Sequence, residues 1–384
     1  MYTETIYHLT AGNPNRNSVA MQLADNAYAC FHCLDSYREV SSMSAAWRKQ
    51  FSHFVVVGMG GSINAGLTYA ALGKDNITFI DNIEPESTAD LIDTLPDPRH
   101  TLLIYISKSG KTEEVLLLYK LLYTKWHAVL GNDAANHTLI ISQEHDSPLT
   151  TIAKQSKHHF IPHDPDIGGR FSYLSVVGLL IAGLVGLDIG AIAQGAQQAL
   201  TDYCLGSAKR DQFCHALASG LQDQSHQANV VLTYHDRLLP FQIWFQQLWA
   251  ESLGKKGMGS IPVAFSGTRD QHSQLQLYLA NPTGKAFTLI RCAHYDSAYP
   301  ALTQAYKAHA ETVSYSLRQT GQITRVITLP QLDSYYLAYI MTNMVLDTLI
   351  TAAYADIDPF GQNQVEHVKK AHNPRIEALT TNLS

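Results

Sequence analysis

Between residues 54 and 162 the chain repeats one device: a short, continuously apolar run followed by a helix-length amphipathic segment. The runs are FVVVG, ITFID, TLLIYIS, TLIIS and HFIP, and EEVLLLYKLLYTKWH typifies what separates them. A strand that is apolar at successive positions has both faces buried, and alternation with helices builds a parallel sheet covered on both sides. The pattern resumes with NVVLTY, IPVAF, FTLIRC and TRVITL, interleaved with FQIWFQQLWAESLG and other helical stretches. The expected fold class is α/β, with two doubly wound, mainly parallel α/β/α domains. Residues 1–49 mix aromatic and polar side chains at helical spacing and read as a helical N-terminal arm. The first α/β domain is expected over 50–200 and the second over 201–384, closing with C-terminal helices. A chain of 384 residues is long enough to bury two such cores.

Charge and cysteine usage narrow the function classes. A net charge of −6 gives no general attraction to nucleic acid or to an anionic membrane, so any phosphate must be captured locally. The longest apolar run, Val176 to Leu187, falls short of the roughly 20 residues that span a bilayer. MYTETIYHLT lacks the basic start and apolar centre of a signal peptide. Five scattered cysteines form no disulfide framework, and neither CFHC nor the histidines show metal-ligand spacing. A reduced, cytoplasmic protein without metal or other cofactor is expected.

Several polar strings interrupt this apolar architecture at strand ends. In VVVGMGGSINAG, Gly58, Gly60, Gly61 and Ser62 follow a strand and precede a helix, where backbone N–H groups can approach an anion. The spacing departs from the dinucleotide fingerprint GxGxxG. TLLIYISKSGKTEEV repeats the arrangement: Ser107, Lys108, Ser109, Lys111 and Thr112 exceed what one N-cap needs, which points to a phosphate cradle. A Walker A loop requires glycine where Tyr105 stands. In DPDIGGRFS, Arg170 follows two glycines into an apolar helix and needs a carboxylate or a substrate oxygen as partner. Glu251 stands where the helix QLWAES meets Gly254, and His272 lies in TRDQHS, suggesting a base and a proton shuttle. DPFGQNQVEHVKK places Gln362 in a turn and Lys369 and Lys370 on a following helix.

The ordered strings GMGGS, ISKSGKT, DIGGRFS, QLWAESLGK, DQHSQLQ and PFGQNQVEHVKK resemble the glucose-6-phosphate isomerase family over about residues 55–370. That resemblance implies paired sugar-isomerase (SIS) domains and interconversion of glucose 6-phosphate and fructose 6-phosphate through an enediolate. It also implies a homodimer whose active sites are shared between subunits. Matched residue by residue, Gly61 and Ser62 contact substrate, and Ser107, Lys108, Ser109 and Thr112 bind its phosphate. Arg170 steadies negative charge at the reacting carbons. Glu251 moves the proton between C1 and C2, with Gln247 as a substrate contact. His272 helps open the sugar ring, and Lys369, with Gln362 nearby, stands beside the ring oxygen. Lys111 departs from the family's small hydroxyl residue, and His367 and Val368 replace a leucine-glycine pair, which leaves Lys370 as the alternative to Lys369. Two other readings stay open: a non-catalytic phosphosugar-binding regulator, and an isomerase that also accepts mannose 6-phosphate.

Overall fold

The expected N-terminal arm is helical only in part. In the computed structural model, which describes residues 1–9, 28–32, 37–205, 208–362 and 364–365, Thr3–Tyr7 is a strand, β1, and Tyr37–Gln50 is a helix. β1 pairs antiparallel with residues 324–328, Thr3 opposite Thr328 and Tyr7 opposite Thr324. The partner lies at the other end of the chain, so no local window around TETIY contains the information. The domain limits also differ from 1–49, 50–200 and 201–384. One unit comprises His32–Ile189 with the chain from Gly361, the other Met1–Phe31 with Gly190–Phe360. Tyr37–Gln50 belongs to the first because it packs on the buried apolar helix Val176–Leu184.

In the unit that begins at His32, strands β2 (His53–Gly58), β3 (Ile77–Ile80), β4 (Thr101–Ile106), β5 (Thr138–Ser142) and β6 (His159–Pro162) form one sheet. Their order is β3-β2-β4-β5-β6 and every pairing is parallel. β4 and β5 are buried at every position, as continuously apolar central strands must be, whereas the four-residue edge strands are half-exposed. Helix Glu113–Leu130 turns Val115, Leu118, Tyr119, Leu122 and Trp126 onto Val55, Val57, Leu103, Tyr105 and Ile140. That three-and-four spacing is one helical stripe meeting one sheet face. β3 lies on one side of β2 and β4 on the other, so the winding reverses between β2 and β4. Ligands of open α/β sheets bind outside the carboxyl ends of the strands at such a reversal.

The other unit contains β7 (Ala228–Tyr234), β8 (Ile261–Ser266), β9 (Lys285–Cys292) and β10 (Thr324–Leu329), ordered β1-β10-β9-β7-β8. All pairings except that of β1 are parallel. Among the described residues, one helix, Ser334–Tyr354, is long and apolar enough to cross a membrane, and its apolar window is 89% buried. It is a core helix, and it carries one buried acid. Asp347 lies 2.5 Å from Arg325 and 3.3 Å from Arg210, and Glu4 of β1 reaches the same two arginines at 3.5 Å each. Two arginines and two carboxylates thus neutralise one another beneath β1.

Candidate active site

Gly58 of β2 stands in register with Ile106 of β4, so GMGGS and SKSGKT leave the sheet side by side at the winding reversal. GGRFS joins them through the backbone. A Cβ on Gly61 would lie 2.5 Å from the Gly169 carbonyl carbon and 2.7 Å from the Arg170 nitrogen, and the Ser172 hydroxyl donates to Gly61 O at 3.1 Å. The glycines flanking Ser62 and Arg170 are therefore a matched pair, main chain on main chain. Gly61→Ala must push that backbone apart, and overpacking of this kind costs about 1–3 kcal/mol. Thermal denaturation of the variant is expected to show a melting point lowered by several degrees; an unchanged one would contradict the contact.

Arg170 is 4% exposed in the turn Gly169–Leu174. Its Nη2 donates to the Gly361 carbonyl at 3.1 Å, immediately before half-buried Gln362, and its guanidinium lies 5.0 Å from the Phe171 ring centroid. Ser107 is buried, its Oγ 2.8 Å from Thr112 Oγ1. Thr112 is the N-cap of Glu113–Leu130 yet makes no side-chain cap bond. Its hydroxyl is turned to Ser107, which leaves the first-turn N–H groups facing the loop. Gly110, at φ +61°, closes the loop so tightly that a Cβ would meet Ser147 Oγ at 2.2 Å. Ser109 and Lys111 are exposed, the Lys111 N–H donating to Ser109 Oγ at 3.2 Å. Lys108 is half-buried. Burial holds its ammonium below the usual lysine range; Asp164 and Asp166 oppose the shift, and Arg170 adds to it. Lys108 and Lys111 are balanced by Glu113 and Glu114, so the loop offers directed donors more than net positive charge.

Two residues that the sequence reading passed over border this end. Ser172 ties the two glycine motifs together; its one signal was its place just after GGRF. His163, 2% exposed with Nδ1 2.8 Å from Asp164 O, is driven toward the neutral form chiefly by burial. Nothing distinguished it among 18 histidines.

In the other unit Gln247 and Glu251 lie one turn apart on helix Leu239–Leu253, and Gln247 Nε2 donates to Glu251 Oε1 at 3.1 Å. Gln242 donates to Phe265 O at 2.7 Å, Gln246 to Pro262 O at 3.2 Å, and Trp249 to Ser260 Oγ at 3.0 Å. Those partners step backward along β8, so Glu251 lies beyond its amino end. His272 follows the carboxyl end of β8, in the exposed turn Arg269–His272. There Asp270 accepts from Ser266 N at 2.7 Å and Ser273 Oγ at 3.1 Å, and Gln271 donates to Tyr234 OH at 2.6 Å. DQHS is thus a turn whose acid and amide are structural and whose imidazole faces out. Six strand residues span about 20 Å, so Glu251 and His272, near in sequence, stand at opposite ends of one strand. Lys369, Lys370, His367 and Val368 lie outside the described residues. A cavity of about 370 Å³ lined by Arg291, Cys292, Tyr295, Lys307 and Glu311 contains none of the candidate residues, and its Arg291 is already paired with Glu311.

The sequence profile of the family described as phosphoglucose isomerase matches residues 4–290. A glucose-6-phosphate isomerase from Thermus thermophilus is 31% identical over 351 residues, covering 84% of this chain and 83% of its own. Among solved structures, a hypothetical protein from Thermus thermophilus superposes with a TM-score of 0.84 at 27% identity, covering 94% of each chain. A glucose-6-phosphate isomerase from Chlamydia trachomatis shares the fold, with a TM-score of 0.77 at 20% identity over 97% of this chain and 76% of its own.

Proposed function

The chain belongs to the phosphoglucose isomerase family, and from that premise we propose how its residues interconvert glucose 6-phosphate and fructose 6-phosphate. The reaction is an aldose–ketose isomerisation: a carbon-bound proton beside a carbonyl leaves C2 of the open-chain aldose and returns at C1. It needs a carboxylate to carry that proton and fixed positive charge for the enediolate oxygens. Glu251 is the carrier, oriented by Gln247. Arg170 is the charge, buried where solvent screens it least. Gly61 and Ser62 contact the sugar. Ser107, Lys108, Ser109 and Thr112 take the phosphate, whose binding energy orients carbons it never touches. His272 assists ring opening, and Lys369 with Gln362 attends the ring oxygen.

The single observation that carries the phosphate assignment is the uncapped helix start, where Thr112 gives its hydroxyl to Ser107 and not to its own helix. A capped terminus would have spent the donors an anion needs. For the assembly, we propose a cytoplasmic homodimer with shared active sites. The separation of Glu251 and His272 along β8 supports it, because a hexose phosphate is far shorter than about 20 Å and the two groups of one chain act on different substrate molecules. Side chains at the edge strand β8 and its neighbouring helices, Ile243, Ile261 and Leu277, are more than half exposed and offer apolar area to a second copy. The test is a coupled assay with fructose 6-phosphate and mannose 6-phosphate side by side, at concentrations bracketing the dimer equilibrium. Turnover of fructose 6-phosphate that declines as the dimer dissociates is the expected result. Tight phosphosugar binding without turnover would replace the enzyme by a binding protein.

A further inference from the structure

The helix that carries Glu251 ends at Leu253, and the next two side chains after Gly254 are lysines whose ammonium groups reach main-chain carbonyls and an acid of one distant turn. Lys255 Nζ donates to Asp358 O at 2.6 Å and also to Phe360 O. Lys256 Nζ donates to Asp356 O at 2.5 Å and to Asp356 Oδ2 at 3.0 Å. The turn follows the core helix Ser334–Tyr354. It begins at Asp356, which adopts φ +55°, and it is braced by Phe360 N donating to Asp358 Oδ1 at 2.9 Å. Three alternate carbonyls just beyond the helix, those of Asp356, Asp358 and Phe360, are thus gripped by adjacent ammonium groups. The two grips are unequal. Lys255 is half-buried and bridges two carbonyls, while the Lys256 side chain is 56% exposed and its partner carboxylate 97% exposed.

We infer that Lys255 is a positioning residue for the isomerisation: it locks the turn Asp356–Phe360 to the end of the Glu251 helix, and so fixes where the chain leaves that turn for Gln362. The inference rests on the roles proposed above for Glu251 and Gln362. Lys255 itself touches no reacting atom. Its effect comes through geometry, and a displacement of about 1 Å in a reacting group is enough to cost on the order of a hundredfold in rate. A single ammonium can do this because both bonds converge on one nitrogen four residues beyond the base, which leaves little slack between them.

Steady-state kinetics with fructose 6-phosphate, together with thermal unfolding, test the assignment on wild type, Lys255→Met, Lys255→Arg, Lys256→Met and Glu251→Gln. Lys255→Met is expected to lose roughly 10- to 100-fold in kcat with KM changed less than about threefold and little change in melting temperature. Lys255→Arg, whose fork also reaches two carbonyls, is expected to regain most of the loss. Lys256→Met is expected to stay within about twofold of wild type, since an exposed pair contributes little. A kcat for Lys255→Met within twofold of wild type overturns the inference. So does a loss that tracks unfolding and is not restored by arginine. If Lys255→Met does not fold, Lys255→Gln carries the same comparison with one donor retained. A wild type without turnover would instead defeat the functional reading itself, and an active Glu251→Gln would defeat the assignment of the base.

Discussion

Replacing Glu251 by glutamine is expected to lower kcat by about a thousandfold or more while leaving phosphosugar affinity within a few-fold of wild type. Proton transfer by a positioned carboxylate contributes on the order of 10²–10⁴ in rate, and the amide has nearly the same shape but cannot accept the proton. Affinity is expected to survive because the phosphate site proposed at Ser107, Lys108, Ser109 and Thr112 belongs to a different unit from the substituted residue. Gln247 now faces an amide where it faced a carboxylate at 3.1 Å, a change small enough to leave the helix intact. The measurement pairs kcat from the coupled assay with inhibition by a non-reacting sugar phosphate. Loss of solvent deuterium incorporation at C1 and C2 would locate the defect in proton transfer. A variant retaining turnover within tenfold of wild type would sink the assignment.

The second large effect concerns stability. Asp347→Ala removes one of the two carboxylates that neutralise Arg210 and Arg325, in a cluster whose arginines are 5% and 3% exposed. Burial alone would depress both guanidinium groups; Asp347 and Glu4 outweigh it and hold them fully charged. Breaking a buried pair on one side strands the other charge and costs about 3–5 kcal/mol, or about 10 °C or more in melting temperature. Among the described residues Glu4 then remains as the acid paired with both arginines, so hydrogen exchange at Thr3–Tyr7 reports how β1 responds. Arg325→Met combined with Asp347→Leu removes one charge of each sign and leaves Arg210 facing Glu4, so it is expected to melt above the single variant. If the double variant is no more stable than Asp347→Ala, packing and not charge accounts for the loss.

The motifs divide according to how far away their meaning lies. ISKSGKT could be read as an anion loop because hydroxyls, a glycine and a helix start are all local, and the structure sets them at a sheet's winding reversal. Gly61 and Gly169 were each recognisable as glycines in tight places, but that each is the other's reason follows from folding alone. TETIY carried too short an alternation to stand against its helical-looking surroundings, and its pairing partner is more than 300 residues distant. Lys255 carries no signal of its own within QLWAESLGK, and the return of the chain after Tyr354 gives it carbonyls to hold.

By itself the sequence determined the α/β class, the strand–loop–helix order and the identity of the polar residues at strand ends, because periodicity, glycine tolerance and helix starts are properties of neighbouring residues. Tertiary structure alone decided which elements share a unit, what lies under β1, and that Glu251 and His272 occupy opposite ends of β8. A helix returning antiparallel to its strand turns nearness along the chain into distance in space, and no count of intervening residues reveals that reversal.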